Sequence, residues 1–293
     1  MGVLNVTPDS FSDAGRWLAT ERALEHADDM LQQGADIIDV GGESTRPGAA
    51  QVSSREETDR VVPVIKALRE SFPDALLSID TSKPEVLVAA CRYGIDIIND
   101  VRALREPGML KVAAASGCGI CLMHMQGQPR SMQQAPHYTD VVTDVAQFLA
   151  ARVQASLAAG IHAERIVVDP GFGFGKTLAH NTRLLAQLQT LQHELDRRQQ
   201  RRFPVLVGIS RKSMLAGLLA AYSGSGSETG HKTGSDDFPP LQRVVAGTVA
   251  AAIAVMHGAS IIRTHDVAAL RDALAVLTAV QKNAVDDQAS GQN

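Results

Sequence analysis

A chain of 293 residues with 45% apolar content has ample material for a large buried core, in one barrel-sized domain or two smaller ones. The formal net charge of −4 argues against a general nucleic-acid binder. No apolar run reaches the roughly 18–20 residues a membrane span needs. No basic, apolar, then small-residue leader is visible, so a cytoplasmic location with reduced thiols is expected.

Short apolar runs read as strands, and each is followed by a helix-like stretch. The chain opens inside the first, Val3–Val6, which raises the expectation of residues before Met1 or of a start set late. Asn5 ends this run and begins the loop Asn5-Val-Thr-Pro-Asp-Ser-Phe-Ser-Asp13. Its Pro, Ser and Asp are turn formers, yet Phe11 is apolar on a polar loop, which suits a lid as well as a passive turn. Leu24, Ala27 and Leu31 then share one helical face. The second run, Asp36–Val40, feeds Gly41-Gly-Glu-Ser-Thr-Arg-Pro-Gly48. Paired glycines let backbone N–H groups approach an anion, and Arg46 suits phosphate or carboxylate, against the plainer reading of a flexible link with a solvated arginine. Ser53 and Ser54 precede Glu56 and Glu57 with capping-box spacing.

The third and fourth runs are Leu76–Ile79 and Asp96–Ile98, with Pro84 suited to a first helical position between them. The fifth is Ile120–Met123. Three cysteines, Cys91, Cys118 and Cys121, lie in this half of the chain. Cys118 and Cys121 form a C-x-x-C, but no second pair of soft ligands follows, and Cys121 lies in an apolar run where a buried inert thiol is the ordinary outcome. Alanines at helical spacing make Val141–Ala159 a helix. The sixth run, Ile166–Val168, leads into Asp169-Pro-Gly-Phe-Gly-Phe-Gly-Lys-Thr177. A phosphate loop needs glycine five residues before the Gly-Lys, where Pro170 stands, so a nucleotide triphosphatase is disfavoured. The glycines instead suit a tight loop that shows Phe174 to a ligand, with Asp169 accepting from a heterocycle's N–H groups or, more plainly, capping a helix. The seventh run, Val205–Ile209, meets Ser210-Arg-Lys-Ser213 and a short helix, an arrangement suited to anions. After the eighth, Ser260–Ile262, alternation puts Arg263 and His265 on one side, a second anion clamp.

Eight strand-plus-helix units predict a (β/α)8 barrel, with an open doubly wound sheet as the runner-up. The barrel is favoured because Asn5, Asp39, Asp80, Asn99, His124, Asp169, Ser210 and Arg263 stand at or near the strand ends, and a barrel brings all eight ends to one face. One domain over 1–285 is expected, with a mobile surface loop over Tyr222–Pro240 and a frayed tail, Asp286–Asn293.

The segments GVLNVTPDSFSDAG, IIDVGGESTRPGA, SIDTSKPEV, IINDVRAL, CLMHMQG, VVDPGFGFGKT, VGISRKSML and IIRTHDV together resemble the dihydropteroate synthase family, in that family's order and over Met1 to about Ala279. The resemblance implies that 6-hydroxymethyl-7,8-dihydropterin diphosphate and p-aminobenzoate are joined to give 7,8-dihydropteroate and pyrophosphate, with Mg2+. It implies that Asp80, Asn99, Asp169 and Lys212 hold the pterin. Asn5, Thr45, Arg263 and His265 would hold the diphosphate, with Asn5 also facing the metal. Phe11, Thr45, Arg46, Pro47, Phe174 and Ser213 would frame p-aminobenzoate, and Asp13 would help close the first loop. Asp80, Lys212, Arg263, His265 and Asp13 would carry the chemistry. Sulfonamides would compete with p-aminobenzoate, and a homodimer through outer helices is implied. Two other readings stay open. One is a pterin-binding barrel of a corrinoid-dependent methyltransferase, which the Ser-Arg-Lys-Ser and Arg-x-His motifs argue against. The other is a non-catalytic paralogue that binds pterin for a partner.

Overall fold

The structure is a computed structural model that describes residues 1–7, 16–44, 49, 51–128, 131–224 and 238–290. Among the described residues eight strands alternate with helices: β1 (Gly2–Asn5), α1 (Arg16–Gln32), β2 (Ile37–Gly41), α2 (Ser54–Ser71), β3 (Leu76–Asp80), α3 (Pro84–Cys91), β4 (Ile97–Asp100), α4 (Met109–Ser116), β5 (Gly119–Met123), α5 (Val141–Ala158) and β6 (Ile166–Asp169). Two helices follow β6, α6 (Leu178–Ala186) and α7 (Leu188–Gln199); two follow β7 (Leu206–Val207), α8 (Ser213–Gly224) and α9 (Val244–Met256); and one follows β8 (Ile261–Ile262), α10 (Val267–Ser290). The expected strands are all present within one or two residues, but β7 is shorter than the expected Val205–Ile209. The backbone of α10 stays helical to Ser290, past the point where a frayed tail was expected at Asp286. The expected loop over Tyr222–Pro240 lies largely outside the described residues.

Strands β1 to β6 pair in chain order, all parallel, and β7 pairs with β8. Two single bridges join these sheets into a closed barrel: Gly2 with Thr264, and Val168 with Val205. At the first seam the Val3 N–H donates to the Thr264 carbonyl (3.0 Å) and the Thr264 N–H to the Met1 carbonyl (2.9 Å). At the second the Val168 N–H donates to the Pro204 carbonyl (3.0 Å). The strands are short and apolar on both faces because a parallel barrel buries both.

Alternation along the strands sorts the two faces. Leu4, Ile38, Leu77, Ile98, Ile120 and Val168 pack outward with the helices in the main core. Met1, Ile37, Cys121 and Leu206 pack in the barrel interior with Ile97, Val167 and Ile261. One pleat further along, the inward positions include Asp39, Ser78, Asn99, Asp169 and Arg263, and on β1 and β3 one pleat more brings Asn5 and Asp80. The interior is therefore apolar below and polar toward the carboxyl ends of the strands, where a (β/α)8 barrel opens to ligands. Helix starts agree with sequence: the Ser53 Oγ accepts from the Glu56 N–H (3.2 Å), and Pro84 occupies the first turn of α3.

Candidate active site

At the carboxyl ends of β2, β3, β4 and β8 four side chains form one hydrogen-bonded cluster. Arg263 donates from Nε to Asp39 Oδ2 (2.6 Å) and from Nη2 to Asp80 Oδ2 (3.1 Å). Asn99 Nδ2 donates to the same Asp39 oxygen (3.1 Å). Asp39 is fully buried, and its other oxygen has no described partner. Burial pushes the Asp80 carboxyl up to about 7, with Arg263 pulling it down and Asp39 adding to the rise. Flanked by two carboxylates, Arg263 is held above its ordinary range, so its charge is permanent.

The sixth strand adds a second acid. Asp169 is buried, and its Oδ1 accepts from the Gly171 N–H (2.7 Å). Burial raises its pKa, and Lys212 opposes that rise. Lys212, from the turn after β7, donates to the Phe172 carbonyl (2.6 Å) and sits over the Phe174 ring, 4.6 Å from its centre. Burial lowers its pKa to about 8, with Asp169 pulling the other way. The side chains of Asp80, Asn99, Asp169, Lys212 and Arg263 thus line one mouth, as expected from sequence.

The loop after β6 has the tight shape its glycines predict. Gly171, Gly173 and Gly175 all have positive φ, at 69°, 82° and 64°. A Cβ on Gly171 would run into the His124 carbonyl oxygen, and one on Gly175 into that of Gln126, so this loop lies directly on the loop after β5. Lys176 locks the two together. Its buried Nζ donates to the carbonyls of Gly171 (2.8 Å) and Phe174 (3.1 Å), and lies 2.9 Å from His124 Nδ1. Burial drives the pKa of both His124 and Lys176 well down. His124, a strand-end residue in the sequence reading, therefore serves the loop and packs edge-on against Phe148 of α5. Phe174 is less open than expected: it is buried with Val101, Met123, Met125 and Met132.

The turn after β7 is set by ionic contacts. Arg211 has φ +59° and is paired with Asp266, while Arg243 donates to the Arg211 carbonyl (2.9 Å). Asp266 also receives the Ser210 hydroxyl (3.3 Å), and His265 lies against Ser210, with its N–H 3.1 Å and its Nδ1 3.2 Å from Oγ. Ser213 begins α8. Asn5 Oδ1 and Asp80 Oδ2 flank the point above Gly41, at 3.8 and 3.9 Å from where its Cβ would stand.

The smallness of Gly42 also serves packing against α2: a Cβ there would meet Val61 Cγ1 at 2.6 Å and Glu57 Cγ at 3.1 Å. Sequence reasoning also missed the ion cluster beneath that loop. Lys83 donates to Glu43 (2.5 Å) and to the buried Glu57, and Arg60 donates to the Gly42 carbonyl (2.8 Å). The two partners lie far apart in sequence, and only the Ser-Lys-Pro segment after β3 hinted at a fixed lysine. Phe11, Asp13, Thr45, Arg46 and Pro47 lie outside the described residues. The C-x-x-C does not act as a unit: Cys121 packs inside the barrel, while the Cys118 thiol donates to the Ile95 carbonyl (3.1 Å) outside it.

Comparison with known proteins agrees with this geometry. The pterin binding enzyme family model matches residues 1–265. The dihydropteroate synthase of Escherichia coli (strain K12) is 46% identical over 279 residues, covering 95% of this chain and 90% of that protein. The crystal structure of Yersinia pestis dihydropteroate synthase in a sulfonamide drug complex superposes with a TM-score of 0.83 at 48% identity, covering 96% of this chain and 94% of that one. That of Burkholderia cenocepacia dihydropteroate synthase complexed with 7,8-dihydropteroate gives a TM-score of 0.81 at 45% identity, covering 98% and 92%. With a closed barrel, an acid-lined mouth and these relatives along nearly its whole length, the chain belongs to the pterin-binding enzyme family, among the dihydropteroate synthases.

Proposed function

We propose that this enzyme condenses 6-hydroxymethyl-7,8-dihydropterin diphosphate with p-aminobenzoate, releasing 7,8-dihydropteroate and pyrophosphate. The observation that carries this reading is the convergence of Asp80, Asn99, Asp169, Lys212 and Arg263 on one mouth. Buried acceptors on β3, β4 and β6 suit the N–H groups of a pterin, and permanent charge on β8 suits the leaving diphosphate. The relatives bound to sulfonamide and to dihydropteroate extend the same expectation to this chain, with sulfonamides competing for the p-aminobenzoate site.

A dissociative route fits these residues. Carbon–oxygen cleavage leaves positive charge on the methylene and pterin ring, and Asp80, with its carboxyl pushed to about 7, is drawn into its ionised form as that charge grows. Arg263 and His265 take the opposite charge developing on the diphosphate. The arylamine then attacks a cation and sheds its surplus proton to the departing pyrophosphate, so no activated Ser, Cys or His dyad is needed. Among the described residues no group of three or more His, Cys, Asp or Glu stands ready for a metal. Asn5, whose Oδ1 stands above Gly41, would face an Mg2+ that arrives with the diphosphate, its main source of ligands. When bound, the ion adds positive charge to the leaving group.

A homodimer is supported by one face of the molecule. Val245, Val249, Ile253 and Met256 recur at helical spacing on α9 and are exposed, with Val276 and Val280 exposed on α10. An exposed apolar stripe of this kind suits the matching face of a second copy.

The test is to mix the purified chain with both substrates and Mg2+ and to measure pyrophosphate. Release that requires p-aminobenzoate and yields dihydropteroate is expected. Pterin binding with no pyrophosphate release would point to the non-catalytic reading.

A further inference from the structure

Asp39 stands on β2 at an inward position, opposite Val3 of β1 and Ser78 of β3. It lies one pleat below the mouth and is fully buried. Its two donors reach it from opposite sides: Arg263 from β8, beyond β1, and Asn99 from β4, beyond β3. Both land on the same oxygen, Oδ2. Among the described residues no hydrogen bond joins Arg263 to Asn99 directly, so the carboxylate is what connects them.

A carboxylate only accepts, so each partner must turn a nitrogen toward it. For Asn99 this fixes the amide: Nδ2 faces Asp39, and Oδ1 is turned away as an acceptor. For Arg263 the Nε–H is committed to Asp39 and one Nη2–H to Asp80. Both Nη1–H groups and the second Nη2–H are then left over, and an Nη1–H beside that Nη2–H makes the two-pronged fork that grips phosphate oxygens in pairs. A carboxylate this deep in the barrel is tolerated only with such partners, and it holds them as firmly as they hold it.

We infer that Asp39 is a positioning residue for both halves of the substrate: one buried oxygen sets the Asn99 amide toward the pterin and the Arg263 fork toward the diphosphate, fixing the distance between the two subsites before ligand arrives. The inference rests on the assignment of those subsites proposed above. It gives Asp39 no contact with substrate and no proton to move; its effect passes wholly through Asn99 and Arg263.

The test is a pair of double-mutant cycles on the full chain, read by calorimetry with inorganic pyrophosphate plus Mg2+ and, separately, with 6-hydroxymethylpterin. Asp39→Asn keeps the volume and removes the charge, and should weaken each ligand about tenfold, within the range of coupled neighbours. In an Arg263→Ala background the same change should leave pyrophosphate affinity where it was, and in an Asn99→Ala background it should leave pterin affinity where it was. A full further loss in both backgrounds would show a general structural role and overturn the inference while leaving the subsites intact. Undiminished pyrophosphate binding by Arg263→Ala, with undiminished pterin binding by Asn99→Ala, would overturn the subsites and the inference with them. If Asp39→Asn fails to fold, Asn99→Ala alone is decisive: pyrophosphate affinity should shift severalfold although Asn99 makes no bond to Arg263, and no shift overturns the proposal.

Discussion

Asp169 gives one of its oxygens to the Gly171 amide and is itself buried. Asp169→Ala should therefore lower pterin affinity by about 2–4 kcal/mol, the cost of removing one partner from a buried, charge-assisted pair. Calorimetry with 6-hydroxymethylpterin checks it, and wild-type affinity in a folded variant would remove Asp169 from the site. Lys212 makes a prediction in pH. Its folded pKa of about 8 lies below the ordinary 10.5, so its charge is lost as pH rises through about 8. Affinity for the pterin diphosphate should decline over that range, and Lys212→Met should lose the decline along with much of the affinity. Stability moves the other way. Between about 8 and 10.5 the folded state binds fewer protons than the unfolded chain, so the burial cost of this amine is relieved as pH rises. Denaturant melts at pH 7.5 and 10 should show that gain in the wild type relative to Lys212→Met; an equal pH response in the two proteins would contradict it.

The loop after β6 shows how far local sequence carries. Its alternating glycines predict positive φ, and all three adopt it. What it rests on is invisible in sequence, because the carbonyls of His124 and Gln126 come from a loop some fifty positions earlier. Strand ends were legible for the same reason that Lys176 was not. A period of two and a terminal polar residue are local signals, whereas the Lys176 bonds to His124 and two carbonyls exist only after the barrel closes. Likewise Asp39 read as a strand-end acid, but its role needed β8 and β4 beside it. The glycine contacts rank three substitutions. Gly171→Ala and Gly175→Ala meet backbone oxygen and positive φ together, and each should cost about 1–3 kcal/mol or more in stability and displace Lys176. Gly173→Ala meets only Lys212 Cδ, at 3.3 Å, and should be the mildest of the three. Thermal melts settle the order; a Gly171→Ala protein as stable as Gly173→Ala would show that the two loops do not interlock.

At the scale of the whole molecule, the exposed apolar stripe on α9 and α10 predicts assembly. Val245→Glu with Val249→Glu should shift the protein from dimer to monomer by light scattering, with the barrel still folded; an unchanged mass would place the interface elsewhere. The closure of the barrel has a consequence for motion. Six strands share continuous ladders, but β7 and β8 form a separate pair joined to the rest by one bridge on each side. Amide protons are shielded from deuterium only as long as their ladder stays shut. Those of Ile38–Gly41 and Leu77–Asp80, deep in the six-stranded run, should exchange slowest. Those of Val205–Val207 and Ile261–Thr264 should exchange distinctly faster, in step with each other, as one panel that swings open. Arg263 rides on that panel, whereas Asp80 and Asn99 stand on the six-stranded run, so a ligand that spans Arg263 and those two residues should slow the panel most of all.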